Sequence, residues 1–342
     1  MKRRVEVIVL AGIALGMPGI GDPGRAADSE ARAAALLGGQ VAAQDSYSGL
    51  SRRFQYGPET PAIGIQEKGV QERAGVKIHD ITYASPKGGR VPAYLVVPET
   101  KGHFAGILWA HWMMPNSPTA NRSEFLNEAV VLAHAGAVSL LIDAPMVRPN
   151  FKPDPDPFSG QDAEMQVQET IEMRRGLDLL LSRPDVDPKR IAVVGHSFGA
   201  VSAAMLDAMD KRPTAFVFMG NPVSSREFLT SNEPMIVEFR KKYGDDKIKE
   251  YLEKYSWADA ADYAKFLGPA PALFQYATHD EFMTVPMEQR YFASAAGPKQ
   301  IKYYEATHAL DDKARMDRYE WLKEEFGLGD VAGEIERVPQ TR

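Results

Sequence analysis

From Ala105 to Phe326 the chain alternates between short, nearly continuous apolar runs and longer stretches with apolar residues at three- and four-residue spacing. The apolar runs are Ala105–His111, Ala137–Asp143, Arg190–Gly195, Thr214–Gly220, Ala270–Ala277 and Lys299–Glu305, and they suit strands buried on both faces. The periodic stretches, Asn121–Ala135, Gln161–Ser182, Ser197–Met209, Pro286–Ala296 and Ala309–Phe326, suit helices. Such alternation implies a mainly parallel sheet with helices on both faces. Ahead of it, Val76–Ala84 and Arg90–Val97 read as strands joined by Ser85-Pro-Lys-Gly-Gly89, a connection short enough for an antiparallel hairpin. The expected architecture is α/β, a mainly parallel eight-stranded sheet flanked by helices.

The sixth and seventh of these strands are separated by residues 221–269, far longer than the other connections. Long insertions in compact domains are usually lids or added subdomains, and this one reads as a helical lid. Its aromatic residues, Tyr251 and Trp257 among them, are expected mostly to pack it onto the sheet, with a few lining a pocket. The expected organisation is a leader over 1–43, an N-terminal extension over 44–75 wrapping the surface, the α/β domain over 76–326 and a C-terminal tail over 327–342.

The leader opens Met-Lys-Arg-Arg, continues with an apolar run from Val7 to Met17, and then turns rich in Gly and Ala. That is the pattern of a secretory signal, cleaved near Ala26 or Ala43, and it predicts export; without such a signal the protein would be cytoplasmic. The run is too short to span a bilayer, so no stable membrane insertion is expected. Gly19-Ile-Gly21-Asp-Pro-Gly24 fits G-x-G-x-x-G, but Pro18 and Pro23 flank it and no βαβ unit follows, which argues against a dinucleotide site.

Composition removes other classes. With 40 basic and 46 acidic residues the formal charge is −6, and no long basic run or nucleic-acid motif occurs. The chain has no cysteine, which excludes disulfides, thiolate metal sites and a cysteine nucleophile. No zincin, Walker or calcium-loop motif is present, so neither metal nor cofactor is expected.

The run Ile191–Val194 breaks at Gly195-His-Ser-Phe-Gly199 and passes at once into small residues of helical character. Alone, G-x-S-x-G arises by chance in about one chain in ten of this length. Here it ends a central strand and opens a helix, as a nucleophile elbow requires, with small residues two before and two after the serine. A serine hydroxyl needs a base. Of seven histidines, His308 alone lies in a loop after the last strand, where its side chain can overhang the carboxyl edge of the sheet, whereas His196 sits inside the elbow and reads as structural. The base needs a carboxylate, and Asp280 and Glu281 follow the seventh strand. Asp280, at the strand end in a turn, is the better placed, and Glu281 reads as a solvent-facing charge. Ser197, Asp280 and His308 then run in the order nucleophile, acid, base.

From Val76 to Phe326 the chain resembles the α/β-hydrolases, most closely the dienelactone-hydrolase-like serine esterases. The resemblance rests on His111 at the end of the third strand, Gly195-His-Ser-Phe-Gly199, Asp280 before Val285-Pro286, and His308. It implies Ser197 as nucleophile, His308 as base and then acid, Asp280 as its orienting partner, and an oxyanion hole from the backbone N–H of Phe198 and one from the loop after the third strand. Where many members read His-Gly-Gly, this chain reads His111-Trp112-Met113, so the second donor is Trp112 or Met113, and their side chains either narrow the acyl pocket or are ordinary buried residues. Arg148, in the proline-rich loop after the fourth strand, would either meet an anionic substrate or be a salt-bridged surface charge.

The expected activity is hydrolysis of small-molecule carboxylic esters through an acyl-enzyme on Ser197. The same constellation serves serine peptidases and amidases, and a third reading is a non-catalytic binding protein of the same fold. Acyl and alcohol preference and oligomeric state are not legible in the sequence.

Overall fold

The computed structural model describes residues 47–339 apart from 58, 59, 61, 115, 222 and 223. The leader and its glycine motif lie outside the described residues. The strands are β1 (Gln66–Arg73), β2 (Val76–Ala84), β3 (Arg90–Val97), β4 (Phe104–Ala110), β5 (Ala137–Ile142), β6 (Val186–His196), β7 (Ala215–Met219), β8 (Ala272–Ala277) and β9 (Lys299–Tyr304). They form one sheet in the order β1-β2-β3-β5-β4-β6-β7-β8-β9. β1, β2, β3 and β5 pair antiparallel in succession, and every pairing from β5 to β9 is parallel. The expected fold class holds, with one correction: among the described residues the sheet has nine strands, not eight. β1 lies in the extension read as surface wrapping, and all eight of its residues are exposed. Gln-Glu-Lys-Gly-Val-Gln-Glu-Arg carries no apolar alternation because neither face meets a core. Its backbone satisfies the edge of β2, and its charges and the bulge at Glu67/Gly69 discourage further pairing.

The helices that cover the sheet are α1 (Tyr47–Arg52), α2 (Leu126–His134), α3 (Gln161–Leu181), α4 (Phe198–Met209), α5 (Ser225–Leu229), α6 (Pro234–Tyr243), α7 (Asp245–Lys254), α8 (Ala260–Ala264), α9 (Val285–Ser294), α10 (Asp312–Phe326) and α11 (Ala332–Ile335). Period-two alternation splits each central strand between two cores. Leu108, Ile191 and Val193 face a core with α3, α4, α8 and α9, while Ile107, Trp109, Ala192 and Val194 face one with α2 and α10. The insertion forms α5 to α8. Leu229, Ile236, Phe239, Ile248 and Tyr251 make a small core of their own that packs on Phe158, while Trp257 and Tyr263 join the main core.

Between α3 and α4, Glu169 is wholly buried and accepts the Ser202 hydroxyl at 2.6 Å. Burial pushes its carboxyl up to about 8. A raised folded-state value confers stability that is complete below the ordinary carboxylate range and is lost as pH rises toward 8. Glu169→Gln is therefore expected to leave the melting temperature unchanged near pH 5 and to raise it near pH 8.5, by a gain on the order of a few kcal/mol. Thermal unfolding at the two pH values checks this; an equal shift at both would refute it.

Candidate active site

β6 runs straight into α4, and the joint is Ser197, with φ 54° and ψ −116°. A non-glycine residue at positive φ is strained, and such strain persists only where the surroundings impose it. They do so here. The Ser197 N–H donates to Met219 O at 2.8 Å, and its carbonyl accepts from the N–H groups of Ala200 and Val201, so the elbow is fixed on both sides. Ser197 is 4% exposed, at the carboxyl end of the central strands.

Asp280 is the third residue after β8, and His308 lies in the loop after β9. Asp280 Oδ2 and His308 Nδ1 are 2.7 Å apart, and both side chains are buried. Asp280 Oδ1 accepts from the N–H groups of Phe282 and Met283, which fixes the carboxylate. Glu281, exposed as the sequence reading has it, also accepts the backbone N–H of His308 at 2.9 Å. Adjacent acids thus hold the ring and the backbone of one histidine. The His308 ring stands edge-on to Phe282 and passes over Gly220, where a Cβ would lie 2.9 Å from His308 Cε1. Because Gly220 directly follows the Met219 that binds Ser197, the histidine ring and the elbow share one corner of the sheet edge. With Nδ1 engaged by Asp280, Nε2 is the nitrogen left for an incoming proton. Ser197 Oγ and His308 Nε2 form no hydrogen bond among the described residues; such bonds often tighten only once substrate is bound.

The loop after β4 settles which of its N–H groups is available. The Trp112 N–H donates to Glu124 Oε2 at 2.6 Å and is therefore already engaged. The Met113 and Phe198 N–H groups have no hydrogen-bond partner among the described residues. The Trp112 side chain is buried and stacks on His196, whereas the half-buried Met113 packs with Met146 and Phe198. His111, at the end of β4, accepts the Ala144 N–H on Nε2 and donates from Nδ1 to Trp112 O. That pattern fixes its tautomer, and burial lowers its pKa, so a neutral imidazole ties the loops after β4 and β5 together. Arg148 makes a two-pronged ion pair with the buried Glu172 and also donates to Asp143 O, which is the salt-bridged reading of this residue.

The sequence reading missed Glu124, which lies between β4 and α2 and pairs with a histidine 72 residues away. No local pattern reports a contact of that separation. Among the described residues no helix is long and apolar enough to cross a membrane.

This topology and this elbow are those of the α/β-hydrolase fold. Residues 162–314 match the prolyl oligopeptidase family, Peptidase_S9, a span that holds Ser197, Asp280 and His308. No curated protein sequence matches the chain significantly. Among solved structures the chain is similar to acetyl xylan esterase 1 from Thermoanaerobacterium sp. JW/SL YS485, with TM-score 0.66 and 14% identity over 82% of this chain and 92% of that one. It is similar also to an acetyl xylan esterase from Paenibacillus sp. R4, with TM-score 0.63 and 16% identity over 89% and 96%. A glucuronoyl esterase from Solibacter usitatus gives TM-score 0.58 and 14% identity over 82% and 92%. At such identity the likeness establishes the fold.

Proposed function

We propose that the protein hydrolyses carboxylic esters through an acyl-enzyme on Ser197. The observation that carries this is the pairing of Asp280 with His308 beside a serine held at positive φ, all at one sheet edge. Ser197 Oγ attacks the ester carbonyl as its proton passes to His308 Nε2, and Asp280 stabilises the resulting imidazolium. The tetrahedral oxyanion forms between the N–H groups of Phe198 and Met113, each such donor being worth about 3–4 kcal/mol in the transition state. His308 returns its proton to the leaving alkoxide, and the alcohol departs. It then activates water against the acyl-enzyme, and the acid is released with Ser197 restored.

A second reading keeps these steps with an amide or peptide as substrate, and the match to the prolyl oligopeptidase family favours it. Three of the similar structures are esterases, which supports the first. Treatment with a fluorophosphonate, followed by mass spectrometry of the peptides, is expected to find the adduct on Ser197. An unlabelled Ser197 in folded protein would leave the non-catalytic reading standing. Turnover of matched p-nitrophenyl esters and p-nitroanilides then separates ester from amide preference, with the esters expected to be the faster.

A further inference from the structure

His196, the last residue of β6 and directly before the elbow serine, is wholly buried and has both ring nitrogens engaged. Its Nδ1 lies 2.5 Å from Glu124 Oε1, and its Nε2 lies 2.9 Å from the carbonyl oxygen of His308. The other oxygen of Glu124 accepts the Trp112 N–H. Trp112 stacks on the imidazole at 5.0 Å with 17° between planes, and the His308 ring lies 5.4 Å away at its other neighbour contact. A carbonyl accepts only, so Nε2 must carry a proton. The short Glu124–Nδ1 contact then holds one further proton, on the imidazole or on the carboxyl, and in either case the pair has no net charge. One buried neutral unit thereby joins the loop after β4, the elbow and the loop after β9, three segments that the sheet alone does not hold together.

We propose that Glu124 and His196 are positioning residues that set the oxyanion loop and the base loop against each other. By taking the Trp112 N–H, Glu124 turns the next N–H, that of Met113, toward the elbow. By donating to His308 O, His196 fixes the backbone from which the base hangs, at the residue whose ring meets Asp280. The proposal rests on the hydrolase reading above, because it concerns the same serine and histidine.

Three variants test it. Glu124→Ala removes both acceptor bonds, and His196→Phe keeps an aromatic ring against Trp112 but loses both hydrogen bonds. Glu124→Gln keeps all three bonds: its carbonyl accepts from Trp112, its amide N–H donates to a neutral Nδ1, and Nε2–H still reaches His308 O. Misplacement of reacting groups by about 1 Å costs up to roughly 100-fold. Glu124→Ala and His196→Phe are therefore expected to lose about 10- to 100-fold in kcat with KM nearly unchanged, and Glu124→Gln to recover most of that loss. Should Glu124→Ala fail to fold, the comparison of His196→Phe with Glu124→Gln decides. Wild-type kcat in His196→Phe, a loss confined to KM, or a Glu124→Gln enzyme as impaired as the broken variants would each overturn the proposal. Nitrogen-15 NMR of the histidine ring, run on the wild type alongside Ser197 labelling, separates it from the parent reading. A His196 Nε2 that carries no proton overturns the positioning role, whereas an unlabelled Ser197 with Nε2 protonated overturns only the hydrolase reading.

Discussion

Ser197→Ala is expected to lower kcat toward p-nitrophenyl esters by roughly four to six orders of magnitude while the protein stays folded. The loss is large because no other hydroxyl stands at the elbow, and the Asp280–His308 pair then has no nucleophile to serve. What survives is catalysis by the oxyanion donors acting on water. The melting temperature should barely move, since Ala at φ 54° bears the same strain as Ser. Ser197→Gly sharpens the test. Glycine adopts this conformation freely, so relief of strain should stabilise the fold by about 1 kcal/mol even as turnover vanishes. An enzyme that gains stability by losing its serine would show that the strain is retained for function. If instead Ser197→Ala kept its ester turnover, the acyl-enzyme mechanism would have to be abandoned.

The parts of the molecule legible in the sequence were those whose physics is local. β4, β5, β7 and β8 are buried along their whole length, and so their residues are apolar apart from Ser139 and Gln275. The elbow announced itself because a tight turn between strand and helix admits small residues at Gly195 and Gly199 and few others. β1 was illegible for the opposite reason: a strand exposed on both faces is specified by its backbone, and its side chains carry no period. The loop after β4 was half legible. His111 marks the end of its strand, yet choosing between Trp112 and Met113 depends on a carboxylate from a separate segment, Glu124, which captures one N–H and leaves the next. Asp280 and Glu281 show the same limit. Their positions after β8 were readable, whereas the division of labour, one on the His308 ring and the other on its backbone, is set by how two loops meet.

The largest loss of stability is expected from Gly199→Ala. A Cβ at this position would lie closer than 3.0 Å to the carbonyl oxygens of both Ala110 and His111 and to the carbonyl carbon of Ala110, all of them backbone atoms of the segment that ends β4. A side-chain neighbour could rotate away, but here strand and helix would have to separate. Overpacking of that kind costs about 3 kcal/mol or more when the backbone must move. The elbow would feel it first, because Phe198 N–H and Met113 N–H sit on the two segments being pushed apart. Gly199→Ala should therefore lower kcat more than it changes KM, and by more than its effect on folding would account for at temperatures where the variant is still native. Gly69→Ala is the matched control: it lies in the exposed β1, and a Cβ there meets nothing within 4 Å, so its melting temperature should stay within a degree or so of the wild type. Denaturant unfolding of the two variants gives the comparison. Equal stability in both would mean that the elbow helix and β4 are not in such close contact, and would remove the ground for Phe198 and Met113 as facing donors.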